Sequence, residues 1–512
     1  MPRSAQSDAD DHFLREENAM VAGPSKVIMI LMLMVSRGGG NEILDYLDTN
    51  DYWQAKQVKV SVETMLVEIG PAGEAVDVDE LIKQLGDDAF EVREAAQRKL
   101  IAAGAKALPK VREATKSEDL EVATRAQKII GQLTSGGDPA AVRRLMAIRT
   151  LGELKDARSV PRLKGLLKSA KPFEADYAKR ALAALSGKPV DVAKPDPKAL
   201  AQDVGLLPKG CGMVLHARMT GGKPVCMDEV LKTLPDKMEG LDKASMRKEV
   251  TAMLVMFVET TGNVRLDSVT FGLSSEVGSR EGWMTIIARG QYDRDAVLRA
   301  LKDVSGNDFR MEKIDGQEVV RLVDGEVNLI LDEGERLVMV GGPQPQDDAG
   351  VLKIPLREVI GALKTGKGEI ARDGEMGKLV AGMDPANEVN LVVRLNDTYR
   401  EVPFLRPFDT LQASVRAGTR GSEWKLVAKG QNAEAIKAMA VQFEATRKQA
   451  LADIRRAPKH VVVMMEPYLK LMEGVKVEQD KTTVTLSATL EGRESASGLF
   501  LMGFFLVADH GF

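Results

Sequence analysis

Cysteine and histidine are scarce in this 512-residue chain: Cys211 and Cys226, and His12, His216, His460 and His510. There is no CxxC pair and no histidine in a zinc-like arrangement, so no metal site is nominated. Aromatic residues make up only 4%, which removes the stacking platforms that single-stranded nucleic acids need. Nor is one sign of charge in excess, since 71 basic residues face 75 acidic ones for a net charge of −4. That near-balance creates no field to gather a phosphate backbone, and a nucleic-acid partner is not expected. The apolar run Val27–Val35 holds nine residues, against the roughly twenty needed to cross a bilayer. No serine lies in GxSxG, and spacing assembles neither a His-containing triad nor a paired-carboxylate cleft. The sequence therefore nominates no catalytic residue and no cofactor.

What is present reads as several domains, because 512 residues exceed one core. Residues 1–40 form a leader with two open readings. Lys26, the apolar run and the small residues Ser36 and Gly38–Gly40 follow the order of a secretory signal if translation starts at Met20, which points to export or the cell envelope. The alternative is a buried strand or helix of a cytoplasmic protein. The two cysteines fit a single disulfide in the first case and two small apolar residues in the second.

From residue 41 to 187 the period is helical. One sentence is written three times, as FEVREAAQRKL from Phe90, LEVATRAQKII from Leu120 and FEADYAKRALAAL from Phe173. Connections of two to five residues imply antiparallel neighbours, and a repeated helix that cannot bury its face alone implies stacking. The motif VRxxA, kept as Val92-Arg93-Glu94-Ala95-Ala96, resembles HEAT-like repeats in the short form also seen in phycobilin lyases. That resemblance covers residues 76–187 and implies an α-solenoid that binds or scaffolds a protein partner; it carries no lyase site. Residues 188–205, with Pro189, Pro195 and Pro197, read as a linker.

Past Leu206 the period becomes two, and a longer duplication appears. LDSVTFGLSSEVGSREGWMTIIARGQYDRDAV from Leu266 aligns with FDTLQASVRAGTRGSEWKLVAKGQNAEAI from Phe408, with one residue gained between the tryptophan and the Gly-Gln. Upstream, GMVLHARM from Gly212 aligns with EVNLVVRL from Glu388. Two α+β units with antiparallel sheets are expected, residues 206–345 and 379–512, joined by a helical connector over 346–378, with helices over one face. The remainder resembles bacterial α+β proteins that lend no site. Candidate ligand or interface residues are the matched pairs Trp283/Trp424 and Arg218/Arg394, together with His216. Each also has a plain structural reading, as core aromatics and solvated strand faces. GALKTGKG from Gly361 lacks the hydroxyl that a phosphate loop places at Gly368, and reads as a helix C-terminus. Two function classes follow: a non-enzymatic interaction protein working through the helical repeats, or a ligand carrier or enzyme with a site between the two α+β units.

Overall fold

The structure is a computed structural model that describes residues 42–70, 77–103, 107–134, 139–169, 171, 173–187, 198–218, 243–276, 282–322, 326–332, 335–342, 355–397, 405–417, 421–456, 462 and 466–491. The signal-like segment, Cys226, the Asp324-Gly325 turn and the apolar tail from Gly498 lie outside these residues.

The fold is α+β, organised on one antiparallel sheet of twelve strands in the order β11-β12-β10-β9-β8-β1-β2-β3-β7-β6-β5-β4. The strands are β1 Cys211–Arg218, β2 Arg265–Ser274, β3 Met284–Gln291, β4 Arg310–Ile314, β5 Gln317–Leu322, β6 Val327–Asp332, β7 Arg336–Gly341, β8 Val389–Arg394, β9 Phe408–Ala417, β10 Gly421–Gly430, β11 Lys476–Asp480 and β12 Thr483–Glu491. The two sequence units are not separate sheets. They join edge to edge where β1 pairs antiparallel with β8. Leu215 and Leu391, which correspond in the duplication, face each other in that ladder. A pseudo-two-fold axis therefore passes between them, and each half repeats strand, insert, two strands, helix, returning strands. Joining the halves in one ladder hides two edges that each would otherwise expose.

Sixteen α-helices are described. The first nine are α1 Thr49–Ala55, α2 Val62–Ile69, α3 Val78–Gln84, α4 Phe90–Ala103, α5 Leu108–Ala114, α6 Leu120–Thr134, α7 Pro139–Leu154, α8 Val160–Leu166 and α9 Glu174–Ser186. Their ends follow local chemistry. Ser61 and Asp77 cap α2 and α3 by accepting from backbone N–H groups, and Pro139 opens α7. The remaining seven are α10 Ala199–Val204, α11 Lys243–Thr261, α12 Arg294–Ser305, α13 Leu356–Thr365, α14 Gly374–Ala381, α15 Ala433–Arg456 and α16 Glu466–Glu473.

These helices do not share one interior. Helices α3 to α6 close a core of their own around Leu85, Ala96, Leu100, Val111 and Ile129. Helices α1, α2, α7, α8 and α9 instead share a large core with α11, α15 and one sheet face, where Met213, Leu215, Val389 and Leu391 point. Two expectations are corrected here. Helices cover both sheet faces, because Val214, Ile287, Val338 and Val392 point the other way and are buried under α10, α13 and α14. The segment read as a linker is in part a buried helix, since Leu200, Asp203 and Val204 of α10 pack against the sheet. Three prolines upstream masked the short Ala-Leu-Ala-Gln-Asp-Val helix that follows them.

Ala96 and Ile129 are fully buried in the small helical core. Ala96→Asp and Ile129→Asp each place an unpaired carboxylate there, at a cost of several kcal/mol. The low-temperature part of a circular-dichroism melt of the full chain should lose helix in both variants. An unchanged melt would place these residues outside the core.

Candidate functional site

The five residues singled out in the sequence do not converge. Trp283, just before β3, packs with the α10–α13–α14 core, whereas Trp424 of β10 packs with the opposite core. The extra residue between Trp283 and Ala288 is the cause. Ala288 and Ala428 correspond and both face the large core, so an odd offset turns one tryptophan to the other face. Trp424 donates its indole N–H to Ser422 Oγ at 2.8 Å.

Arg218 and Arg394 share the α10–α13–α14 side of the sheet but end opposite strands. Arg218 lies across from Glu388, while Arg394 reaches toward the start of β1. Six residues separate these rungs, about 20 Å at strand rise. Arg218 donates to the Ala386 carbonyl at 3.0 Å, and Arg394 pairs with Asp373 at 3.4 Å, whose other carboxylate oxygen accepts from Gly210 N–H.

His216 sits near the axis, fully buried. Its Nδ1 lies 2.8 Å from Thr270 Oγ1, and its Nε2 has no hydrogen-bond partner among the described residues. Burial, helped by the Arg218 and Arg289 guanidiniums, depresses its pKa to about 3. The sign for stability follows: the unfolded chain takes up the proton first as pH falls, because its histidine titrates near 6.5. The contribution is fully present above pH 6.5 and is lost between there and pH 3, by up to about 1.4 kcal/mol per pH unit. Urea unfolding at pH 7, 6, 5 and 4 should show this loss, and His216→Asn should remove most of its slope.

One concave region lies between α7 and α9, and another lies on the sheet. A cleft of 230 Å³ is lined by Asp45, Arg149, Glu153, Tyr177 and Arg180. Its groups are committed to bracing the segment before α1. Arg180 pairs with Asp45 at 3.0 Å and with buried Glu42, Asn263 donates to Glu42 at 2.9 Å, and Arg149 donates to the Leu44 and Leu47 carbonyls. Burial raises the Glu42 carboxyl above the ordinary range, and Asp45 adds to the shift. A groove of 160 Å³ beside α14 is lined by Asn387, Asn390, Gln412, Ser414 and Lys425 over Leu379 and Val392. Asn387 and Asn390 there bond each other at 3.0 Å. Among the described residues no cluster of three potential ligands could hold a metal ion.

The phosphate-loop look-alike is a helix end. Thr365 closes α13, and Gly366 at φ +68° returns its N–H to the Ala362 carbonyl.

The feature that sequence reasoning noticed only as periodicity lies on the small helical core. The corners before α4 and α6, Asp87–Val92 and Ser117–Val122, are copies of one turn. Asp87 accepts from Ala89 N–H as its counterpart Ser117 accepts from Asp119 N–H, and in the second corner Asp119 also accepts from the N–H groups of Glu121 and Val122. The corners touch, since a Cβ on Gly86 would lie 2.7 Å from Asp119 Oδ2, and Arg93 reaches Glu121 at 3.3 Å. The first helical residue of each is large, apolar and exposed: Phe90 at 57% and Leu120 at 81%. In the third copy the residue aligned with them, Phe173, stands just before α9 as its N-cap, is only 5% exposed and belongs to the large core.

No family model matches this chain, and no curated protein matches it. Similar solved structures include crystal forms III, IV and I of TP0453, at 10, 11 and 10% identity. They align over 61, 60 and 61% of this chain and 100, 99 and 97% of theirs, with TM-scores of 0.31, 0.32 and 0.29. Scores that low establish neither a shared fold nor a shared role. Among the described residues no helix is long and apolar enough to cross a membrane.

Proposed function

We propose that the chain is a non-enzymatic interaction protein that holds a protein partner on its N-terminal helices, in the manner of a HEAT-like scaffold. The observation that carries this reading is the repeated exposure of a large apolar residue at the first position of α4 and α6. Capping explains Asp119 at the start of α6 and gives no reason for Leu120, and the Arg93 guanidinium 5.8 Å from the Phe90 ring centroid still leaves that residue 57% exposed. Burial of the equivalent Phe173 supports reading this position as an apolar anchor. A ligand site between the halves gains no such support, because β1 and β8 meet in a continuous ladder there.

The test places p-benzoylphenylalanine at Phe90, and separately at Val441 as an exposed apolar control on α15, in the full chain in its native cell. Irradiation should join a protein to position 90 and not to 441. No adduct at 90 would sink the scaffold reading.

A further inference from the structure

The charge around the ridge narrows the partner. Exposed carboxylates surround Phe90 and Leu120: Asp87, Asp88 and Glu91 at one corner, Glu118, Asp119 and Glu121 at the other. The two guanidiniums within the ridge are already engaged. Arg93 donates to the Asp87 and Asp88 carbonyls and meets Glu121; Arg125 pairs with Glu94 at 2.7 Å and Glu121 at 2.6 Å. Counting the exposed Lys116 as well, the six carboxylates leave negative charge in excess beside Leu120, which is 81% exposed, and Phe90, which stays 57% exposed with the Arg93 guanidinium 5.8 Å from its ring centroid. This local imbalance stands out on a chain whose total charge is only −4.

We infer that the α4–α6 corner receives a cationic amphipathic segment of a partner protein, its apolar residues on Phe90 and Leu120 and its Lys or Arg residues against the flanking carboxylates. The inference rests on the scaffold reading and deepens it. Acidic flanks steer a basic segment and penalise an acidic one, while the apolar pair supplies the desolvated centre that holds it. A lone acidic surface would attract cations without preferring apolar ones. A lone apolar pair would not discriminate by charge. The corner combines both, in two tandem copies at one spacing.

Two measurements test it. In the first, a fluorescent 14-residue Leu/Lys amphipathic peptide and its Leu/Glu counterpart are titrated into the full chain at 50 and 300 mM salt. The Leu/Lys peptide should bind at least tenfold more tightly than the Leu/Glu peptide. Phe90→Ser with Leu120→Ser should weaken it at least tenfold, Asp88→Asn with Glu91→Gln and Glu118→Gln should flatten the salt dependence, and Val441→Ser should change neither. Circular dichroism of each variant verifies that the helices are retained. Equal affinity for the two peptides, or undiminished binding to the Phe90/Leu120 variant, overturns the inference. In the second, the peptide joined to position 90 in the cell is sequenced by mass spectrometry. A net-positive amphipathic segment from another protein supports the inference. A neutral or acidic segment, or one from a second copy of this chain, overturns it while leaving protein binding at the ridge intact; absence of any adduct overturns the scaffold reading beneath it.

Discussion

Replacing Asp203 with alanine should cost the folded chain about 3–5 kcal/mol, as expected when one partner of a buried ion pair is removed. Asp203 lies on α10 with no exposed surface. Both its oxygens accept from Arg289 of β3, at 2.6 to 3.2 Å, and Oδ2 also accepts from Ser268 at 3.1 Å. Burial alone would drive such a carboxyl to protonate, and it does raise its pKa, but the Arg289 bonds oppose that shift. Alanine leaves the guanidinium without the anion that compensates it and unfastens α10 from the sheet. Asp203→Asn keeps a hydrogen-bond acceptor and should lose less. Asp203→Ala with Arg289→Met removes both charges and should recover much of the loss. Urea unfolding followed by near-ultraviolet circular dichroism reads all three. A double variant as unstable as Asp203→Ala would mean that helix docking, not charge compensation, sets the cost.

None of this pair was visible in the sequence, and the reason is physical. Asp203 and Arg289 are 86 positions apart, so their meeting depends on how α10 lies across β2 and β3. The local signals fared differently. Ser61, Asp77, Pro139 and Gly366 punctuate helices where they stand, because caps and turns act within a few residues. Alternation in GMVLHARM located β1 correctly, yet its second face could not be assigned. Val214, His216 and Arg218 look like a wet face in the sequence, while Val214 and His216 are fully buried by helices from elsewhere in the chain. The matched tryptophans misled for a related reason: alignment scores identity, whereas a strand's period of two makes parity decide which core a side chain enters. For the ridge, the repeated apolar residue was plain in FEVREAA and LEVATRA, but helical period alone cannot tell an inward first position from an outward one.

The Gly-Gln match between the two halves, Ala288-Arg289-Gly290-Gln291 and Ala428-Lys429-Gly430-Gln431, has its physical cause in the backbone, and it yields the largest expected effect of a single methyl group. In the first half the β2–β3 register shifts between Leu266 and Ser268, leaving Asp267 as a bulge. In the second it shifts beside Gly430, where Thr410 faces Lys429 and Phe408 faces Gly430, leaving Asp409 as the bulge. Each bulge brings a carbonyl of the bulged strand against the glycine of its neighbour. A Cβ on Gly290 would stand 1.8 Å from the Arg265 carbonyl oxygen, and one on Gly430 would stand 1.9 Å from that of Pro407. Both obstacles are backbone, so no rotamer change relieves them, and the bulge would have to be rebuilt. Gly290→Ala and Gly430→Ala should each destabilise by at least about 3 kcal/mol. Gly361 is the control, a glycine inside α13 with open space where its Cβ would go, and Gly361→Ala should stabilise by about 0.5–1 kcal/mol. Thermal midpoints of the three full-length variants decide the matter: if the bulge glycines melt with the Gly361 variant, the bulges can open at little cost, and the shared Gly-Gln is an accident of descent rather than a requirement of the sheet.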